Sequence, residues 1–343
     1  MLIIMKKTRP RFSIKILDTR RITPEDWGGY QSFPTITKTG EDLLVGFRKA
    51  VNISPDLRLV MDHGMAGDIY TTRSTDGGWT FSDPELVVSH SEQQTNEHDA
   101  LLTALGNEKV ALITRTHSST LRENYLALST DGGRSFQNRQ VLKVPPGEWA
   151  SFGHLIPSQD KKNFIGTFYN GPGCGTFRLN LENMEVSHQA YMFRNTDKFR
   201  LNETSIIRLK SGRILALIRQ QPVSDGLHKS YSDDDGQTWS TPEPVGLYGE
   251  APALLMMPDQ SILMIYRGMI RKNRKCRVAL SISRDNGETW SHAKTLVWYK
   301  GGRFHGGYGD LALNSKGQVA AVYYISRKRE APTVERMLLE IKE

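Results

Sequence analysis

Apolar residues along this chain gather into short runs, and six of the runs stand at equivalent places: LLVGFR (43–48), VALITR (110–115), FIGTFY (164–169), ILALIR (214–219), ILMIYR (262–267) and VAAVYY (319–324). Each follows a polar turn such as KTGED, LGNEK or KSGR, and another apolar run precedes that turn. Short apolar runs punctuated by Gly, Asn, Asp and Ser predict β-strands joined by tight turns.

A second repeat runs through the same period. The pattern S-x-D-x-G-x-[ST]-[WF] occurs as STDGGWTF from Ser74, STDGGRSF from Ser129, SDDDGQTW from Ser232 and SRDNGETW from Ser283. Ser and Asp side chains can bond neighbouring backbone N–H groups, Gly can take positive φ, and the closing aromatic can plug the turn from below. The motif therefore predicts a hairpin with its own fastener, with Trp239 and Trp290 buried beneath their turns. The starts lie 55, 103 and 51 residues apart, so the middle interval spans two periods and a decayed copy is expected near residue 180. Repeats of about 50 residues built from short strands predict an all-β, six-bladed β-propeller, with residues 1–343 as one domain. RFSIKILDT near the N-terminus and RMLLEIKE near the C-terminus are expected to share a blade and close the ring.

Composition narrows the function. With 343 residues and 38% hydrophobic content the chain can bury a large core. Its net charge of +8 is spread out, the densest basic stretch being RKNRKCR at 271–277. That distribution favours a small anionic substrate over nucleic acid. Two cysteines, Cys174 and Cys276, form neither a disulfide framework nor a metal spacing. No cofactor or metal is expected, although His63 and His98 beside acidic residues form a weak metal-ligand pattern. No run of about 18 apolar residues exists, so no membrane partner is expected. MLIIMKKTRPRF lacks the apolar core of a signal peptide, and the chain as given reads as cytoplasmic, or as secreted or periplasmic if a leader has been trimmed.

In a propeller the start of each first strand and the end of each second strand surround the central depression, while the turn between strands three and four lies on the opposite face. The second-strand ends are Arg48, Arg115, Tyr169, Arg219, Arg267 and Tyr324. Counting back 16 residues reaches Ser32, Asp99, Gly153, Glu203, Ala251 and Tyr308. Four arginines in six equivalent places predict a cationic ring that would grip a carboxylate.

The four boxes on a six-unit pattern resemble the sialidase (neuraminidase) superfamily over nearly the whole chain. LNETSIIRLKSGRILALIRQ (201–220) and GGYGDLALNSKG (from Gly306) resemble two of its active-site stretches. The resemblance implies that Tyr308 is the nucleophile, Glu203 its base, and Arg219 one of three substrate-binding arginines. Asp62, or alternatively Asp68, would be the acid/base, and Asp99 would face the substrate. The implied activity is a retaining exo-glycosidase that removes a terminal sialic acid or related acidic sugar. Its substrate would be a sialoside or other acidic glycan. The departure is at Ser32-Phe33-Pro34, where the family carries Arg-Ile-Pro. Arg48 or Arg58 could replace that first arginine, and Arg267, Arg274 or Arg277 could be the third. The missing arginine also leaves open a different sugar, or a carbohydrate-binding propeller without catalysis.

Overall fold

The computed structural model describes residues 9–50, 66–89, 96–117, 121–144, 150–222, 226–270, 275–299, 302–327 and 330–342. They form six four-stranded sheets, each in antiparallel order. Blades 1 to 5 cover 30–88, 96–141, 150–194, 201–244 and 249–299, and blade 6 begins at Gly306. The outermost strand of blade 6 is Ser13–Arg21, paired along Thr333–Lys342 from Ser13 opposite Lys342 to Arg21 opposite Glu335. The two ends of the chain thus share one sheet, as the two terminal strand patterns predict.

Second strands lie between neighbouring blades, and this explains why their apolar runs do not alternate. Ile214–Gln220 and Val319–Ile325 are buried at every position. Strands covered on both faces need apolar side chains on both. The core accordingly consists of clusters at the seams, with Leu44 and Leu102 between blades 1 and 2, and Ile113 and Leu155 between 2 and 3. Ile165 and Ile214 meet between blades 3 and 4, Leu217 and Met264 between 4 and 5, Ile265 and Val319 between 5 and 6, and Val45 and Val322 between 6 and 1.

All four boxes are wired alike. In the first, Ser74 Oγ donates to Asp76 Oδ1 (2.8 Å) and accepts from Gly78 N (2.7 Å), while Asp76 accepts from Trp79 N and Thr80 N (both 2.9 Å). The glycine is left-handed each time: Gly78 at 94°, Gly133 at 84°, Gly236 at 86° and Gly287 at 87°. It also presses on the preceding blade. A Cβ on Gly133 would stand 2.3 Å from Leu44, and one on Gly287 would stand 2.5 Å from Leu215. The box therefore rivets seams as well as fastening its hairpin. The expected vestige near residue 180 is the plain turn after Gly173–Asn180, where Asn180 Oδ1 accepts from Glu182 N at 2.8 Å.

Trp290 is 2% exposed and its indole N–H donates to Gly287 O at 3.1 Å. Trp239 is only half-buried, with its N–H on Gly236 O (3.2 Å) and Thr176 Oγ1 (3.3 Å). Trp290→Ala is expected to cost about 3–5 kcal/mol, measured by denaturant unfolding. A loss below about 1 kcal/mol would mean the plug is not structural.

Near the axis, His154 Nδ1 lies 2.6 Å from Leu102 O and Nε2 lies 2.8 Å from Asp310 Oδ2, which also accepts from Ile36 N at 2.9 Å. Both ring nitrogens face acceptors, so the ring is held as imidazolium, tying blades 1, 2, 3 and 6. Burial opposes that charge, but attraction to Asp310 and the two hydrogen bonds outweigh it and raise the His154 pKa. A raised histidine stabilises the fold below its unfolded value and loses that contribution as pH climbs through the folded one. The stability gap between wild type and His154→Gln should therefore be wide at about pH 5.5 and narrow by about pH 9. Melting curves at the two pH values check this, and a constant gap would contradict it.

Candidate active site

Near its start, the first strand of every blade slips in its pairing: after Ser32, His98, Phe152, Asn202, Glu250 and Gly306. Each slip holds a residue of positive φ, namely Phe33 (52°), Asp99 (61°), Gly153 (72°), Glu203 (30°), Ala251 (51°) and Gly307 (105°). A bulge re-aims its side chain out of the regular alternation, and left-handed non-glycine residues persist only where their surroundings hold them. Counting back 16 residues lands on the bulge in four blades. It misses by one in blade 1, where Phe33 rather than Ser32 takes the position, and in blade 6, where Tyr308 follows the bulge glycine.

The residue before the bulge pairs with the arginine of the second strand: Ser32 with Arg48, His98 with Arg115, Asn202 with Arg219, and Glu250 with Arg267. These four arginines meet different fates. Arg115, Arg219 and Arg267 line a pocket of about 240 Å³. Glu203 and Tyr308 stand with the last two, His98 and Asp99 stand with Arg115, and Phe33, Phe152 and Tyr169 complete the walls.

Tyr308 is the centre of the first group. Its hydroxyl lies 2.7 and 2.8 Å from the two Glu203 oxygens and accepts from Arg219 Nη1 at 2.9 Å. Arg219 Nη1 also meets Glu203 Oε1 at 2.5 Å. The Arg267 guanidinium sits 4.4 Å from the Tyr308 ring centroid, and Phe33 meets the ring edge-on at 5.4 Å. Burial pushes the phenol well above its usual range, helped by Glu203 and opposed by Arg219 and Arg267. Tyr308 is therefore a protonated phenol with its proton already aimed at a carboxylate. Behind it Glu250 bridges the two arginines, Oε1 to Arg219 Nη2 (3.0 Å) and Oε2 to Arg267 Nη1 (2.8 Å).

In the second group Asp99 Oδ1 lies 3.1 Å from His98 Nδ1, and Oδ2 lies 3.3 Å from Arg115 Nη2. Burial alone would raise the Asp99 carboxyl, but Arg115 and His98 bring it down to about 2. Asp99 thus stays ionised near neutrality and is no proton donor. Burial lowers His98, so its ring is neutral there.

Two expected site residues lie elsewhere. Arg48 is 0% exposed, held by Asn96 Oδ1 (2.8 Å to Nη2) and Glu97 O (3.1 Å to Nε), with burial lowering it to about 10. The start of blade 2 covers it, so it is a seam residue and does not line the pocket. Arg277 is on a third strand, one place farther from the axis, where it donates to Thr295 Oγ1 (2.9 Å) and lies 5.4 Å from the Trp298 ring centroid. Of the three candidates for the third arginine, Arg267 lines the pocket. Asp68 pairs opposite Lys49 and is not among the residues that line the pocket. Asp62, Arg58, His63 and Arg274 lie outside the described residues.

Sequence reasoning gave no role to Glu250 or Phe33 and left Arg115 unassigned. Their signal was present: Glu250 and Phe33 are each one residue from a counted position, and Arg115 is itself one of the aligned strand ends.

Fold and boxes define the class: a six-bladed β-propeller with BNR-type repeats, the architecture of the sialidases. The BNR repeat-like domain family matches residues 182–321. Among solved structures, a protein of unknown function from Dyadobacter fermentans superposes with a TM-score of 0.76 at 18% identity, covering 96% of this chain and 99% of that one. The leech intramolecular trans-sialidase complexed with 2,7-anhydro-Neu5Ac gives 0.65 at 12% identity, covering 92% and 68%. The intramolecular trans-sialidase from Ruminococcus gnavus, in complex with oseltamivir carboxylate, gives 0.66 at 12%, covering 92% and 95%. No curated protein matches the chain.

Proposed function

We propose that this protein is a retaining exo-glycosidase of sialidase type, acting on a terminal sialic acid or related acidic sugar. The observation that carries the reading is the Tyr308 hydroxyl lying between Glu203 and Arg219. A sialic acid bears its carboxylate on the anomeric carbon and would repel a carboxylate nucleophile, whereas a phenol is neutral until it reacts.

In the first step Tyr308 Oη bonds to the anomeric carbon as the glycosidic C–O bond breaks. The phenolic proton passes to Glu203, and an acid protonates the departing oxygen. Arg219 and Arg267 stabilise the negative charge that develops on the phenolic oxygen. In the second step water attacks the anomeric carbon as its bond to Tyr308 Oη breaks, Glu203 returns its proton to the departing phenolic oxygen, and the acid, now a base, takes the proton of the water. Asp62 is the proposed acid/base, because the resemblance assigns it and Asp99 is ionised. A pocket smaller than the usual 300–1,000 Å³ ligand site suits one sugar ring, hence removal from a chain end.

A second reading is a carbohydrate-binding propeller without catalysis, favoured by the absence of a blade 1 arginine among the described pocket residues. Aryl glycosides of sialic acid, of its deaminated and 3-deoxy relatives, and of neutral sugars separate the two. Release of the aryl group from an acidic member is expected. Binding of these sugars with no release from any of them would establish the second reading.

A further inference from the structure

A second, smaller cavity of about 40 Å³ adjoins the pocket along the axis, and Phe33, Asp99, Phe152 and Tyr308 belong to the walls of both. Thr35, Leu101 and Ala253 stand two places beyond the bulges of blades 1, 2 and 5, and Asp310 stands two beyond Tyr308. Strand alternation turns these four toward the axis one step deeper than the pocket, and they line the cavity together with His154. His154 and Asp310 thus stand beneath the reacting phenol, and the proposed reaction gives them no part.

Both oxygens that face the His154 ring are fixed. Asp310 Oδ2, 2.8 Å from Nε2, also accepts from Ile36 N at 2.9 Å, and Oδ1 accepts from Leu311 N at 2.9 Å. Leu102 O, 2.6 Å from Nδ1, belongs to a residue whose N–H donates to Thr35 Oγ1 at 3.1 Å. The backbone beside the ring is pinned as well, since Leu155 N donates to Thr103 Oγ1 at 3.0 Å. Two fixed acceptors need a proton on each ring nitrogen. A neutral imidazole carries only one. Whichever nitrogen loses its proton faces an oxygen across 2.6 or 2.8 Å with nothing between them, so the side chain must swing. The open space beside it is the cavity under Tyr308 and Phe152, whose rings meet edge-on at 6.2 Å.

We infer that His154 is a positioning residue for Tyr308: with both ring protons it clasps Asp310 and leaves the cavity clear, and on losing one it moves into the cavity and turns the phenol off Glu203. The inference rests on the glycosidase reading for the meaning of Tyr308. The phenol is sensitive because its oxygen must stay within reach of Glu203, and a misplacement of about 1 Å can cost about a hundredfold in rate. Asp310 is the charged group in contact with the ring, while Asp99 of blade 2 and the Tyr308 phenol share its cavity. Among the described residues, blade 1 presents Thr35 and the Ile36 N–H there, and blade 5 presents Ala253. Blade 4 packs Thr204 and Ser205 on Gly153, and its Glu203 faces the pocket above. Attraction to Asp310 raises the His154 pKa, so the clasp holds below that raised value and opens as pH climbs through it.

The test follows Tyr308 and turnover from about pH 6 to about pH 9.5. In protein labelled with [ζ-13C]tyrosine, the signal missing from Tyr308→Phe reports the contact of the phenol with Glu203. The phenol is pushed well above its usual range, so its own ionisation does not enter. Its signal should shift along one titration curve whose midpoint lies above about 6.5, the value of free histidine. His154→Gln has no such proton to lose and should abolish the shift. Asp310→Asn keeps an acceptor for Ile36 N but removes the charge, and should move the midpoint to lower pH. With a sialosyl fluoride, whose departure needs little acid, kcat should fall about 10- to 100-fold along the same curve with KM nearly unchanged, and His154→Gln should lack this alkaline limb. A Tyr308 signal that stays flat over the range, or an alkaline limb that survives in His154→Gln, would overturn the inference. If His154→Gln does not fold, the wild-type and Asp310→Asn curves decide it. A Tyr308 signal that follows His154 in a protein that hydrolyses nothing removes the catalytic reading and keeps the coupling. Turnover that needs Tyr308 but ignores the state of His154 does the reverse.

Discussion

Tyr308→Phe is expected to lower turnover of an acidic aryl glycoside by about a thousandfold or more while leaving its binding within a few-fold of wild type. The substitution deletes one oxygen from a ring already packed by Phe33 and Arg267, so the pocket keeps its shape. What disappears is the atom that bonds to the anomeric carbon. A covalent adduct offers a second measurement. With a glycosyl fluoride the first step needs little acid help, so Asp62→Ala should form the glycosyl–tyrosine bond and hydrolyse it slowly. Peptide mass spectrometry should then find the sugar on Tyr308, and on no residue in the Tyr308→Phe background. An adduct on another side chain, or full turnover by Tyr308→Phe, would end the assignment.

Glu203→Gln is the second large effect, a fall in kcat of about a hundred- to ten-thousandfold. The amide keeps the volume and can still touch the Tyr308 hydroxyl, but it cannot take up the phenolic proton at neutral pH. Burial and Glu203 together hold that phenol well above its usual range, so it does not ionise unaided. Removing the carboxylate relieves part of that shift yet leaves no acceptor for the proton. Arg219 retains Glu250 as a partner, and the variant should stay folded by circular dichroism. A variant that turns over normally would show that another group accepts the proton. Phenyl leaving groups of graded acidity would then show whether the first or the second step has changed.

What the sequence determined by itself is whatever repeats locally. The blade count, the vestigial turn near residue 180 and the box hydrogen bonds follow from patterns a few residues long, because turns and hairpin pairs form between near neighbours; the shared sixth blade was read from two terminal strand patterns, although its strands pair from opposite ends of the chain, Ser13 with Lys342. Glu203 and Arg219 were legible as positions because one sits on the bulge and the other near the end of the second strand of its repeat, whereas Tyr308, one residue past its bulge, was singled out by the resemblance. Only the tertiary structure decided what that place means in a given blade. Arg48 and Arg115 end equivalent strands, yet Asn96 and Glu97 of the next blade cover one and leave the other at the pocket wall. Glu250 escaped the count because a bulge moves the register by a residue, and a bulge depends on backbone pairing that a spacing rule does not carry. His154 meets Asp310 from three blades away, and Tyr308 meets Glu203 across 105 residues of chain. Such contacts exist only once the ring has closed, because closure is what brings the inner strands of all six blades around one axis.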